Sequence, residues 1–277
     1  MNKKTIFSTL ILAMLISSCE EPEQPDNIRF GNTVRFSGYD WEVKVSEELQ
    51  GPGPNYFSEH PDDIYIDDDG FLHMKIVERD GRWYSTELVG KENMGYGTYR
   101  FTIQGDFINI PENIVVGLFT WDNNTFQEQA NSEVDVELAK WGDATKTNTL
   151  QYAVQPVAFG TYYPERVNSP DSTEWALDGV STHVFTWTDS LISWWSYAGP
   201  DIDDDMLISE WTFDDTNPAR VKEEGGQSSL PVVIPAPGET TNARINFWIL
   251  PLAGQPAGPV GGEEQEYIVR EFGYTPL

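Results

Sequence analysis

The chain has 277 residues, with 17 Lys and Arg against 45 Asp and Glu, a formal net charge of −28. No basic block offsets that charge, which excludes nucleic acid as a partner because phosphate binding needs clustered Lys and Arg. One cysteine and three histidines, far apart in sequence, leave no disulfide framework and no His-based zinc site. The 10 Trp, 12 Tyr and 14 Phe supply ample apolar surface for a folded core despite the acidity.

Residues 1–18 begin with Lys3 and Lys4 and continue into an apolar run from Ile6 to Ile16. That run is too short for a comfortable membrane span and reads as a secretory signal. Leu15-Ile16-Ser17-Ser18-Cys19 resembles a bacterial lipobox, an apolar residue and two small ones ahead of a cysteine. The resemblance implies cleavage before Cys19 and lipidation of its sulfur and its new amine. An ordinary signal peptide with an incidental cysteine is the alternative. Residues 19–28, with Glu20, Glu21, Pro22, Glu23, Pro25 and Asp26, read as a stiff, solvated tether. Acidic residues directly after a lipidated cysteine resemble the surface-export signal of Bacteroidetes-type lipoproteins. The implied location is the outer membrane, with the protein exposed at the cell surface.

Residues 29–277 read as a single all-β domain. Apolar and polar residues alternate with period two in Trp41–Val45, Leu72–Ile76, Tyr99–Gln104 and Arg244–Ile249. Turn chemistry separates the runs at Gly51-Pro52-Gly53-Pro54-Asn55, Asp67-Asp68-Asp69-Gly70 and Asp80-Gly81. No stretch of a dozen residues keeps a helical period, and no internal repeat is visible. Many strands with close turns predict a sandwich or jelly roll, with long loops over 157–180 and 214–243.

The most informative segment is Asn131-Ser132-Glu133-Val134-Asp135-Val136-Glu137-Leu138, read here as one strand. Alternate residues of a strand share a face, so Glu133, Asp135 and Glu137 project together while Val134, Val136 and Leu138 point to the apolar side. Two readings stand. One is a solvated face in an acidic protein. The other is a catalytic cluster, in which mutual repulsion keeps one carboxyl protonated near neutral pH while another is ionised.

Taken with its flanks, this segment resembles glycoside hydrolase family 16, a concanavalin-like β-jelly roll of two curved antiparallel sheets. Gly95-Tyr96-Gly97-Thr98-Tyr99, Gly117-Leu118-Phe119-Thr120-Trp121, Leu150-Gln151-Tyr152, His183-Val184-Phe185-Thr186-Trp187 with Ile192-Ser193-Trp194, and Ile245-Asn246-Phe247-Trp248 match the family's motifs in order. The resemblance implies a retaining endo-acting hydrolase of a β-linked polysaccharide. Glu133 matches the nucleophile, Glu137 the general acid/base, and Asp135 the residue between them that modulates both. Retention needs carboxyls ~5–5.5 Å apart. Cα atoms four residues apart on a straight strand are about 13 Å apart, so the glutamates are expected to lean inward over Asp135.

The same match implies a groove lined by Glu87, Phe119, Trp121, Asn246 and Trp248. The family often carries an arginine two positions after that glutamate, where this chain has Val89. Strand parity turns Gln151 and Gln155 to the groove, and Trp141 lies where the carboxylate strand ends. For each tryptophan, ordinary core packing is the competing account. Cofactors are not implied. The acidic runs 67–69 and 201–205 are candidates for structural calcium, with a turn and a solvated loop as the plainer accounts. A monomer acting on a neutral β-glucan is expected, because the overall charge repels sulfated or uronic polymers. A local patch drawn from Arg79, Arg82, Arg166, Arg220 and Arg244 would overrule that. The alternative of another class is a non-catalytic glycan-binding lipoprotein using the same groove.

Overall fold

The computed structural model describes residues 29–125, 129–158, 162–170, 178–216, 233–254 and 257–277. The secretory signal, Cys19 and the acidic tether lie outside the described residues, as does Arg220. Sixteen strands account for the architecture. They are β1 (Arg29–Phe36), β2 (Tyr39–Val45), β3 (Tyr56–Phe57), β4 (Ile64–Ile66), β5 (Leu72–Arg79), β6 (Arg82–Gly90), β7 (Gly97–Asp106) and β8 (Ile114–Trp121). The second half comprises β9 (Val134–Ala139), β10 (Leu150–Val154), β11 (Val167–Asn168), β12 (Asp178–Trp187), β13 (Leu191–Ala198), β14 (Leu207–Asp214), β15 (Asn242–Ile249) and β16 (Gln265–Pro276).

One sheet runs β11-β10-β9-β8-β15-β6, with β2 and then β1 added on β6; the other runs β4-β5-β16-β7-β12-β13-β14. All these pairs are antiparallel; the short β3 runs parallel to β6. The tight Asp80-Gly81 turn, both residues left-handed at φ 55° and 78°, closes the β5–β6 hairpin that joins the two sheets at one edge. The two-sheet jelly roll expected from strand alternation is what the chain forms.

Alternation explains the core. Trp41, Val43, Leu88, Val116, Leu118, Val134, Val136, Leu138, Tyr152, Ile245 and Phe247 of the first sheet meet Met74, Ile76, Tyr99, Phe101, Phe185, Trp187, Trp194 and Phe272 of the second, all 2% exposed or less. Each such side chain contributes roughly 1.5–3 kcal/mol of burial free energy. Polar groups in this layer are paired. His183 sits between Ser181 and Ser196 at 2.9 and 2.7 Å, and burial pushes its pKa down to about 3, so it stays neutral. Trp194 donates its indole N–H to the Asp135 carbonyl at 3.0 Å, tying the core to β9. This places Trp194 in the inter-sheet core.

Two expectations need correction. Asn131 and Ser132 are not strand: Ala130–Ser132 is a 3-10 turn, and all three residues are left-handed (φ 48°, 60° and 52°). The expected long loops are also shorter at their ends, since β12 begins at Asp178 and Asn242 already belongs to β15.

Candidate active site

The outer face of the first sheet is assembled by register. Glu137 on β9 pairs with Gln151 on β10 and Gly117 on β8; Gly117 pairs with Asn246 on β15, which pairs with Glu87 on β6. The adjacent row runs Ala153, Asp135, Phe119, Arg244, Val89 and Glu42. Gly117 makes room here, because a Cβ at that position would displace the Asn246 carboxamide. The expected groove residues of five strands therefore share one face.

Glu133 has extended backbone (φ −93°, ψ 124°) and its carbonyl accepts from the Gln155 amide, so the three carboxylates do alternate along one line. Asp135 is 2% exposed, while Glu133 and Glu137 are half-buried. Burial and the neighbouring Glu137 charge push Glu133 up to about 8. Burial likewise pushes Glu137 up to about 7, against the pull of Gln151 and Lys146. Asp135 is raised well above the usual carboxylate range by burial and by both glutamates. Groups coupled this closely lose protons in steps that belong to the cluster. A shared bond between Glu133 and Asp135 pulls Glu133 down and pushes Asp135 up, so Asp135 is the stronger holder of a proton in this pair.

The neighbouring strand braces both ends of the row. Gln151 donates to Glu137 Oε2 at 2.8 Å, and Gln155 donates to Asp135 Oδ2 at 3.2 Å. Buried Arg166 donates to the Gln155 carbonyl at 2.7 Å and to the Val154 carbonyl at 3.0 Å, fixing the end of β10. The left-handed turn ahead of Glu133 is held from three sides. Thr120 donates to the Ser132 carbonyl, Ser132 donates to the Ala236 carbonyl at 2.7 Å, and Asn131 bonds the Asp122 carbonyl at 3.1 Å. Fully buried Asp122 in turn accepts from the Asn124 and Thr240 amides and the Thr240 and Thr241 hydroxyls.

Glu87 is 1% exposed and is held between two buried cations: Lys44 Nζ at 2.9 Å and Arg244 at 3.4 Å. It lies in the predicted row, but as the anion of an ion triad. Removing one member of such a set costs about 3–5 kcal/mol, because a buried charge is left unpaired. Arg244 also donates to Asn242 and Asn123, both at 3.2 Å, and its guanidinium lies 5.3 Å from the Trp121 ring centroid. Of the other arginines named from sequence, Arg79 is paired with Asp63 and Arg82 stacks on Tyr56 at 4.2 Å.

Trp121 is half-buried, meets Phe119 edge-on at 6.5 Å and donates its indole N–H to Asn123. Trp248, expected to be partly exposed, is only 8% exposed. It packs with Val115, Ala139, Leu250 and Trp141, away from the inter-sheet core, beneath the Gly53 backbone. Trp141, left-handed at φ 56°, crosses it at 6.3 Å. Two buried polar atoms on this face have no hydrogen-bond partner: Asn246 Oδ1 and Trp141 Nε1. Asn246 itself is 4% exposed. Beyond Leu250 lies a cavity of about 490 Å³, lined by Leu49, Tyr56, Arg82, Trp83 and Leu252 among others.

Parity alone did not single out Lys44, Lys146 or the Thr120 clamp. Arg244 carried a signal, its shared period with Asn246 and Trp248. The two acidic runs are internally bonded: Asp67 accepts from the Asp69 and Phe71 amides, and Asp203 from the Asp205 amide. Among the described residues, no three His, Cys, Asp or Glu side chains gather in a way that would hold a metal.

No family model and no curated protein matches the sequence. Solved structures do. A Bacillus licheniformis β-glucanase superposes with a TM-score of 0.60 at 15% identity, over 89% of this chain and 99% of that one. A laminarinase from Flavobacterium sp. UMI-01 gives 0.55 at 13% identity, over 89% and 99%. A non-specific endo-β-1,3(4)-glucanase from family GH16 gives 0.54 at 11% identity, over 90% and 91%. This chain has their jelly-roll fold. In that fold, the row of Glu133, Asp135 and Glu137 occupies the outer face of the sheet that also carries Asn246 and Trp121.

Proposed function

We propose that the protein is a retaining endo-glycosidase that cleaves a neutral β-linked glucan. One observation carries the reading: three partly desolvated carboxyls stand in line on one sheet face, braced by Gln151 and Gln155. Glu133 attacks the anomeric carbon as the leaving oxygen takes the proton of Glu137, giving a glycosyl-enzyme and a shortened glycan. Glu137, now ionised, takes a proton from water, whose oxygen displaces Glu133 and restores both groups. Asp135 donates to Glu133 in the resting state and holds its orientation. Raised above the ordinary carboxylate range, Asp135 and Glu137 keep their protons far closer to neutral pH than free carboxyls do, as acid catalysis requires.

Half-buried Trp121 offers aromatic surface on the Glu133 side and half-buried Trp141 on the Glu137 side, backed by buried Phe119 and Trp248. The unpaired Asn246 Oδ1 is suited to accept from a sugar hydroxyl. A variant of the GH16 endo-glucanase presents 1,3-β-D-cellobiosyl-glucose at its active site, which supports a glucan as the substrate class. Incubation of the purified protein with laminarin, mixed-linkage glucan and mucin, beside Glu133→Gln, tests the proposal. Reducing-end release from a glucan by the wild-type protein alone is expected. Tight glycan retention without cleavage would favour the binding-protein reading.

We further propose that lipidated Cys19 tethers the protein to the outer membrane, facing outward. Cys19→Ser should leave the protein unprocessed or released, and unchanged membrane partition would contradict the anchor.

A further inference from the structure

Arg244 is 4% exposed in the middle of a strongly acidic protein, and its bonds aim it at one place. Its partners across the sheet are Phe119 on β8 and Val89 on β6, neither of which offers a counter-charge. The guanidinium instead bonds Glu87, Asn242 and Asn123 and lies beside the Trp121 ring. Asn242 and Trp121 pair with each other in the row next to Phe119 and Asp135, on the side where extended Glu133 precedes β9. Glu87 is already neutralised by Lys44 at 2.9 Å. Lys44, Glu87 and Arg244 together therefore carry one net positive charge, delivered on the Glu133 side of the sheet.

We propose that Arg244 is the positioning residue of Glu133: from β15 it supplies a fixed positive charge that favours the Glu133 carboxylate, and it orients Trp121 beside it. The proposal rests on the hydrolase reading only for its catalytic consequence. The groups that act on Glu133 are Asp135 and Glu137 from β9, Arg244 from β15 and Glu87 from β6; Asp122 after β8 acts on Arg244 in turn, and Lys44 on β2 pairs with Glu87. Among them, Arg244 is the cation that favours the charged form of Glu133 directly. A fixed opposite charge on the same sheet face lowers a carboxyl pKa.

The test is the titration of Glu133 itself, read from the carbon NMR of side-chain carboxyls in protein labelled at glutamate Cδ, with the signal assigned by its loss in Glu133→Gln. In Arg244→Met the midpoint should rise by about one unit or more. In Arg244→Lys, which keeps the charge, it should stay within a few tenths of wild type. The exchange Val89→Arg with Arg244→Val returns the charge from β6 and should bring the midpoint back down, which keeps the test decisive if Arg244→Met fails to fold. An unchanged midpoint in folded Arg244→Met, or a midpoint that stays high after the exchange, would overturn the proposal. If the wild-type chain cleaves glycan, the acid limb of its kcat/KM profile should move up with the same midpoint. A chain that cleaves no glycan sinks the hydrolase reading, while the titration still decides the role of Arg244.

Discussion

Thr120 clamps Ser132: its hydroxyl donates to the Ser132 carbonyl at 2.8 Å and accepts from the Val134 amide at 3.1 Å, spanning Glu133 from both sides. The clamp matters because Ala130, Asn131 and Ser132 all hold left-handed backbone, a conformation costing of order 1–3 kcal/mol at each non-glycine residue. Such a turn persists only where its surroundings over-determine it. Here they deliver the Glu133 side chain to the line begun by Asp135 and Glu137.

Thr120→Val keeps the shape of the side chain and removes both bonds. Two buried backbone groups lose their partner, so unfolding free energy should fall by about 1–3 kcal/mol. Activity should fall further than stability explains, through kcat rather than KM. Denaturant melts paired with steady-state kinetics check this; an unchanged kcat in the folded variant would show that the clamp does not position Glu133.

The raised carboxyl pKa values make a signed prediction for stability. Glu133 titrates near 4.3 when unfolded and is pushed up to about 8 when folded. Its contribution is fully present below about pH 4 and is lost as pH rises through about 8, because the unfolded chain then ionises freely while the folded one resists. Glu133→Gln removes the ionisation. The variant should match wild type at pH 4 and become progressively the more stable of the two, with the higher Tm, as pH rises toward 9. Melting curves across that range would contradict the account if the gap were largest at low pH.

Trp121 and Trp248 differ in exposure and should differ in what their loss does. Trp121→Ala, at a half-open position, should raise KM for glucan several-fold while costing little stability. Trp248→Ala, at an 8% exposed position under the Gly53 loop, should cost about 3–5 kcal/mol in addition to any loss of binding. Thermal melts with glycan-affinity electrophoresis separate the two effects; equal destabilisation by both would contradict it.

Period-two alternation made the sheets legible, since inward residues such as Leu72, Met74 and Ile76 repeat at the strand period. It also made the carboxylate face legible, because parity is set by the chain alone. Parity stops at the strand's end. Nothing in Ala130-Asn131-Ser132 announces three left-handed residues, since none is glycine and their conformation is imposed by Thr120, Thr125 and Ala236 from elsewhere. The Lys44–Glu87–Arg244 triad was hidden for a similar reason: its members come from β2, β6 and β15, and their pairing depends on register between strands far apart in sequence. Trp248 read as open because alternation names a face but says nothing of the 51–55 loop that covers it.

The central claim is that Glu133 is the nucleophile and Glu137 its acid/base partner. It is tested most directly by trapping chemistry with an activated aryl glycoside of the cleaved glucan. Glu137→Gln should keep first-step turnover of that substrate while losing polysaccharide cleavage, because a good leaving group needs no proton. Glu133→Ala should be inactive on both, and azide should restore turnover with an inverted glycosyl azide as product. Glu133→Ala that cleaves polysaccharide at the wild-type rate, or that is rescued to a product of retained configuration, would contradict the assignment.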